Sequence, residues 1–250
     1  MPARPPRILN LEGVRFSYGV SPVLQLAVPA LQVSAGERVV LLGPVGSGKS
    51  TLLRLMAGLY RPSEGRVCLD QADLRELEPG LLAERIGYLP QQVQLFKGTL
   101  RSNLALAGAV NDDRLLEVAE ALGIDRIAAD SGQDMNLAIS EGGEGLSDGQ
   151  RQLVGLARIL LARPYLWLLD EPAASLDRDS ERRLWDAFNR QVRPDDIVVI
   201  STHRPAIVRQ LATRVVVLGQ GRIRADGTPE AVLPGVLAGA AGAAGADHGR

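Results

Sequence analysis

Four uninterrupted apolar runs stand out along the chain: Val39-Val40-Leu41-Leu42, Tyr165-Leu166-Trp167-Leu168-Leu169, Ile197-Val198-Val199-Ile200 and Val215 to Leu218. Runs of this length suit parallel strands buried on both faces. Arg66 to Leu69 and Ile86 to Leu89 read as further short strands. Ahead of them, Ile8 to Tyr18 and Val23 to Val33 read as extended segments joined at Gly19-Val20-Ser21-Pro22, with a turn at Ser34-Ala35-Gly36-Glu37. They predict a small antiparallel sheet laid on the front of the core. Helical spacing appears elsewhere. Leu52, Leu53, Leu55, Met56 and Leu59 share one helical face, Asp112 to Leu122 forms an amphipathic unit, and Gln150 to Leu161 forms another. Residues from about Lys97 to Leu161 therefore read as a mostly helical insertion. Gly219-Gln220-Gly221 marks a late turn, and Ala238 to Ala246, made only of Ala and Gly, predicts a loosely ordered tail or linker remnant.

The first apolar run leads directly into Gly43-Pro44-Val45-Gly46-Ser47-Gly48-Lys49-Ser50-Thr51, a glycine, four residues, then Gly-Lys-Ser. In the order strand, loop, helix, the glycines let backbone N–H groups close around an anion, and the helix N-terminus adds its positive dipole end. Lys49 would reach the β- and γ-phosphates and the Ser50 hydroxyl would ligate Mg²⁺. An ordinary glycine turn needs neither residue. The expected fold is α/β, a P-loop NTPase core with a mainly parallel sheet, a small antiparallel β subdomain and a helical insertion subdomain.

Other strand ends deliver groups suited to the same chemistry, since a doubly wound sheet keeps its ligands at the carboxyl edge. Ile86 to Leu89 ends in Pro90-Gln91-Gln92, making Gln91 a candidate for the metal or the attacking water; its other reading is a solvent-facing loop amide. Leu169 is followed by Asp170 and Glu171. One carboxylate can hold Mg²⁺ and the other can orient or deprotonate water. Ile200 is followed by Ser201-Thr202-His203, where a histidine can donate to a γ-phosphate oxygen. Tyr18 is an aromatic near a loop that can either stack on a purine or fill the strand. Ser147, three residues before Gln150, forms a capping box, which by itself requires no function.

Charge and cysteine content narrow the partners. The formal net charge is −1, with basic residues scattered rather than striped, which argues against nucleic acid as the main partner. The single Cys68 rules out an intramolecular disulfide and fits a reducing compartment. No run of about 18 uncharged apolar residues is present, and the Pro/Arg leader lacks the apolar core of a signal peptide.

Taken in order, Gly43 to Thr51, Gln91, Leu146-Ser147-Asp148-Gly149-Gln150, Leu168-Leu169-Asp170-Glu171-Pro172, Ser175-Leu176-Asp177 and His203 resemble the nucleotide-binding domain of ATP-binding cassette transporters, over roughly residues 8 to 232. The resemblance implies a leader at 1–7, an α/β core at 8–96 and 164–232 with its antiparallel subdomain, a helical signature subdomain at 97–163 and a tail at 233–250. It also implies an ATPase working as a head-to-tail dimer, homomeric or heteromeric, in which the signature segment of one subunit meets the ATP of the other. Position by position, Tyr18 would stack on adenine, and Gly43, Pro44, Val45, Gly46, Ser47, Gly48, Lys49, Ser50 and Thr51 would hold the phosphates. Ser50, Gln91 and Asp170 would serve Mg²⁺, Glu171 would act as general base, and His203 would contact the γ-phosphate. Ser147, Gly149 and Gln150 would reach the second subunit's ATP, and Asp177 would lie in the loop crossing that interface.

Tyr88 to Leu104 and Glu141-Gly142-Gly143 are similar to the corresponding segments of exporters. Among these, the wording around the signature looks closest to bacterial type I secretion and peptide exporters. The implied partner is a transmembrane exporter domain, and the implied location is the cytoplasmic face of the inner membrane, peripheral through that partner. The chain would be either a separately encoded subunit or an excised piece. A soluble cassette ATPase and a nucleotide-holding regulatory half of an asymmetric pair are the alternatives. The departure that bears on the second is Asp148, where the family usually has glycine. Pointing outward it would cost little; pointing inward it would oppose a second subunit's triphosphate.

Overall fold

The computed structural model describes residues 7–19, 25–108, 110–130 and 132–246. The chain folds as two compact units, one from residues up to Glu76 and from Ile197 onward, the other from Leu77–Asp196. The expected turn at Gly19 to Pro22 and the start of the second extended segment fall largely outside the described residues, as does most of the leader.

The first unit opens with β1 (Ile8–Phe16), β2 (Leu26–Ser34), β3 (Arg38–Leu42), α1 (Lys49–Met56), β4 (Glu64–Leu69) and β5 (Ala72–Asp73). Val39, Val40 and Leu41 are completely buried, as a run apolar on both faces of a strand requires. Leu59 departs from the helical reading. Helix α1 ends at Met56, Gly58 turns the chain at φ +71°, and Leu59 stands 59% exposed beyond it.

The second unit comprises α2 (Pro79–Arg85), β6 (Ile86–Leu89), β7 (Gly98–Thr99), α3 (Leu100–Leu104), α4 (Asp112–Leu122), α5 (Ile124–Asp130), β8 (Ala138–Ile139), α6 (Asp148–Ala162), β9 (Leu166–Asp170) and α7 (Arg178–Gln191). Its helical character between Lys97 and Leu161 matches the sequence pattern, with β7 and β8 pairing as a minimal antiparallel ribbon. Helix α4 has the limits that its punctuation predicts: the Asn111 side chain caps its start and Gly123, at φ +74°, closes it. Its buried face, Leu115, Val118, Ala119 and Leu122, packs in this unit's core, where α4 contacts α6 and α7. Strand β9 is buried along its whole length, and Trp167 meets Phe188 of α7 edge to face at 5.5 Å. The indole N–H of Trp167 donates to the buried Asp196 carboxylate at 3.1 Å.

The chain then returns to the first unit through β10 (Ile197–Ser201), α8 (Pro205–Leu211), β11 (Arg214–Gly219), β12 (Arg222–Gly227) and α9 (Pro229–Ala246). In this unit the strand order is β5-β4-β1-β2-β12-β11-β3-β10. Strands β10 and β11 flank β3 in parallel, whereas β1, β2, β4 and β5 pair antiparallel. The antiparallel strands continue the same sheet, joined to it by the pairing of β12 with β2 at Arg222 and Ala27. Arg214 secures that region from β11, donating to Asp226 of β12, to Glu37 and to the Gln32 carbonyl. The Ala/Gly run, read as a loosely ordered tail or a linker remnant, is helical to Ala246, continuing α9. Alanine is the strongest helix former, and here its preference outweighs that of the interspersed glycines.

Candidate nucleotide-binding site

The first unit carries the phosphate loop. Gly43 follows directly on β3 and lies against the neighbouring strand: a Cβ there would stand 2.3 Å from the Leu218 carbonyl oxygen. No side chain fits. Gly48 serves as N-cap of α1 at φ +103°, with no side-chain cap and no acidic residue in the first turn. Neither an acid nor a capping side chain competes with an anion at that helix start. Lys49 Nζ donates to the carbonyls of Gly43 at 2.7 Å and Pro44 at 3.1 Å, folding the ammonium back onto the loop that precedes it. Ser47 Oγ is buried with no hydrogen-bond partner, while Val45 projects fully exposed at the loop tip. A steric cradle, a helix start without acid, a cation and an orphaned hydroxyl together fit a polyphosphate.

The same carboxyl edge receives two more of the predicted groups. Strand β10 runs level with β3, Ser201 opposite Leu41, and Thr202 N–H donates to the Leu41 carbonyl at 3.1 Å. His203 follows in an exposed bend. Tyr18 lies past the end of β1 and is 42% exposed, so it is not strand filling. Its ring meets Phe16 and Tyr60 edge to face at 4.9 and 5.8 Å, and its hydroxyl shares a 2.7 Å hydrogen bond with Thr51 Oγ1 of α1. The tyrosine is therefore tied to the phosphate-loop helix itself.

The second unit carries the other predicted groups. Parallel pairing of β6 with β9 sets Leu89 opposite Leu169, so Gln91 and the Asp170-Glu171 pair leave adjacent strands at one edge. Asp170 is fully buried, Gln91 is exposed, and Glu171 holds a left-handed backbone at φ +50°. A non-glycine residue in that region is uncommon and recurs at functional positions. Asp177 caps α7: its carboxylate accepts from the Ser180 and Asp179 N–H groups, each at 2.9 Å, and from the Ser180 hydroxyl at 2.8 Å. The Ser180 bonds, chiefly the backbone one, hold its pKa below the usual carboxylate range.

The signature segment opens α6. Ser147 Oγ accepts from Gln150 N–H at 3.2 Å, and Gln150 Oε1 accepts from Ser147 N–H at 2.8 Å, completing the capping box. Gly149 abuts the loop before α7, where a Cβ would stand 2.6 Å from the Ser175 carbonyl oxygen. Asp148 is different. Its side chain is 75% exposed and ion-paired to Arg151 one turn along. Sequence reasoning passed over Arg151, although its i,i+3 spacing from an unexpected acid was a readable signal. It also passed over Arg158, which donates from α6 to the carbonyls of Gln94 and Asn103 and to Asn103 Oδ1 at 2.7–2.9 Å, binding the stretch after Gln91 to the signature helix. Burial lowers the pKa of that guanidinium.

A phosphate loop on a parallel α/β sheet, with an acidic pair ending another buried strand, defines a P-loop nucleotide-binding protein. Residues 26–174 match the ABC transporter family, and the chain belongs to that family as its ATPase domain. It is 31% identical over 223 residues to the glutathione/L-cysteine transport system ATP-binding/permease protein CydC of Haemophilus influenzae, an overlap covering 88% of this chain and 38% of that one. To the type I secretion system ATP-binding protein PrsD of Rhizobium meliloti it is 34% identical over 230 residues, covering 92% of this chain and 39% of that one. A bacterial Atm1-family ABC exporter solved with ATP bound superposes with a TM-score of 0.83 at 28% identity, covering 92% of this chain and 40% of the exporter. The chain thus spans about two fifths of the length of these proteins. Among the described residues no helix is long and apolar enough to cross a membrane.

Proposed function

We propose that this chain binds and hydrolyses ATP to drive a membrane exporter, pairing head to tail with a second nucleotide-binding domain and attached to a transmembrane exporter domain at the cytoplasmic face. The observation that carries the reading is the phosphate cradle, in which Gly43 has no room for a side chain and Lys49 folds back into the loop. The acidic pair after β9 supports it, as do the relatives that bear ATP-binding and permease functions in one name.

Gly43 to Thr51 hold the phosphates, Lys49 reaching the β- and γ-phosphates, and Tyr18 stacks on adenine. Ser50, Asp170 and Gln91 would hold Mg²⁺, which when bound supplies charge neutralisation at the transferring phosphoryl group. Among the described residues no cluster of three His, Cys, Asp or Glu could hold a metal alone. Hydroxyl, carboxylate and amide oxygens are ligand types that suit Mg²⁺. Glu171 takes a proton from the attacking water, and His203 donates to the γ-phosphate. Ser147, Gly149 and Gln150 reach the ATP of the second domain, and Asp177 lies in the loop that faces it. The ion pair with Arg151 gives Asp148 a counter-charge of its own, which supports turnover over mere nucleotide holding.

The test is ATP hydrolysis by the purified chain over a range of protein concentrations, with Glu171→Gln beside it. The specific rate should climb with concentration, and the variant should lose about 10²–10³-fold in rate, as expected for removal of a general base. A wild-type chain that binds no ATP, or a variant as fast as wild type, overturns the proposal.

A further inference from the structure

Asp148 puts a negative charge in the turn that the proposed dimer offers to a triphosphate, and the structure couples it to a cation with its own independent supports. Arg151 is three residues further along α6, and its side chain is 26% exposed against 75% for Asp148. One terminal nitrogen, Nη2, bonds Asp148 Oδ1; the other, Nη1, donates to the carbonyls of Leu146 at 2.7 Å and Gly143 at 3.3 Å. An exposed ion pair spaced i,i+3 on a helix ordinarily contributes little, because two long side chains must be held in place for it. Here the backbone of the turn holds the guanidinium, so Asp148 meets a cation that is already fixed. Helix geometry does the rest. Side chains tilt toward the helix N-terminus, so Arg151 reaches back to the first turn and draws the carboxylate to its own flank.

We propose that Arg151 is a positioning residue that neutralises Asp148 and holds it aside, so that a signature turn carrying an acid still accepts the triphosphate of a second copy of this chain. The inference rests on the ATP-driven dimer of the preceding section. Ser147 and the N–H of Gly149 are left to make the attractive contacts, and Arg151 acts only through Asp148 and the turn. A chain with Asp148 but without Arg151 presents an uncompensated negative charge to the phosphates; a chain with neither presents none.

The experiment is a double-mutant cycle in the full chain carrying Glu171→Gln, which holds ATP without turning it over. Asp148→Asn, Arg151→Gln and the pair are compared by the ATP concentration that gives half-maximal dimer in light scattering, with melting curves confirming that each variant is folded. Arg151→Gln alone should raise that concentration about tenfold, and by less than about twofold when Asp148→Asn is also present. Arg151→Lys should recover part of the loss. The penalty should shrink between 50 mM and 500 mM salt, because it is a charge effect at an exposed turn. Equal penalties in both Asp148 backgrounds, or a penalty indifferent to salt, would reduce Arg151 to a brace for the loop and overturn the inference. A chain with native Asp148 and Arg151 that never dimerises with ATP overturns the dimer reading itself, and this inference with it.

Discussion

Two glycine-rich turns lead into helices in this molecule, one at Gly43 to Gly48 and one at Gly145 to Gly149; both mix crowded glycines with open ones, and they differ in the acid they admit. In the first, Gly43 and Gly48 are crowded: added Cβ atoms would meet the Leu218 carbonyl at 2.3 Å and a Leu26 methyl at 2.9 Å. In the second, Gly149 is crowded at 2.6 Å by the Ser175 carbonyl, whereas Gly145 has nothing within 4 Å and owes its identity to φ +93°. Between them, position 148 accommodates an aspartate whose side chain is 75% exposed and paired with Arg151. Helix α1 keeps its first turn clear of acid; α6 admits one and answers it with Arg151. A glycine is irreplaceable where a backbone atom blocks its Cβ, and membership of a motif does not by itself make it so.

That contrast can be broken most readily at Gly43. Gly43→Ala should weaken binding of a fluorescent ATP analogue more than about a hundredfold and cost about 1–3 kcal/mol in urea unfolding, since the obstructing atom is main chain. Retained affinity would mean that the β3–β11 contact gives way more easily than close packing allows. Gly149→Ala comes next. It should lower stability by about 1–2 kcal/mol and the concentration-dependent ATPase rate about tenfold, because α6 must back away from Ser175. The mildest is Ser147→Ala, which removes the acceptor for Gln150 N–H. A cap loss of about 1 kcal/mol is expected, visible as a drop of a few degrees in melting temperature.

Much of the site was legible because its chemistry is local. The phosphate loop, the acids after β9 and the limits of α4 each follow from adjacent residues, and strands β3, β9 and β10 announce themselves as runs too apolar for any exposed face. What escaped depends on distant partners or on weak local contrast. Helix α7 went unread because its few buried apolar residues, among them Leu184, Trp185 and Phe188, sit among seven charged ones, and because its cap, Asp177, already had another reading. Strand β12 has arginine at alternate positions and no buried face to betray it. Leu59 fits the α1 periodicity, yet Gly58 ends the helical direction just before it. The clasp of Arg158 on Asn103 joins residues 55 positions apart, a separation across which no spacing rule operates.

The tight seat of Gly149 on Ser175 has a mechanical side. Two segments separated by ordinary van der Waals clearance can slide a little before one pushes the other, but close-packed protein interiors yield very little under load. With no room at that seat even for a methyl group, the start of α6 and the loop that Asp177 anchors to α7 form a joint without backlash. A displacement of either segment toward the other beyond the clearance at that seat must move both.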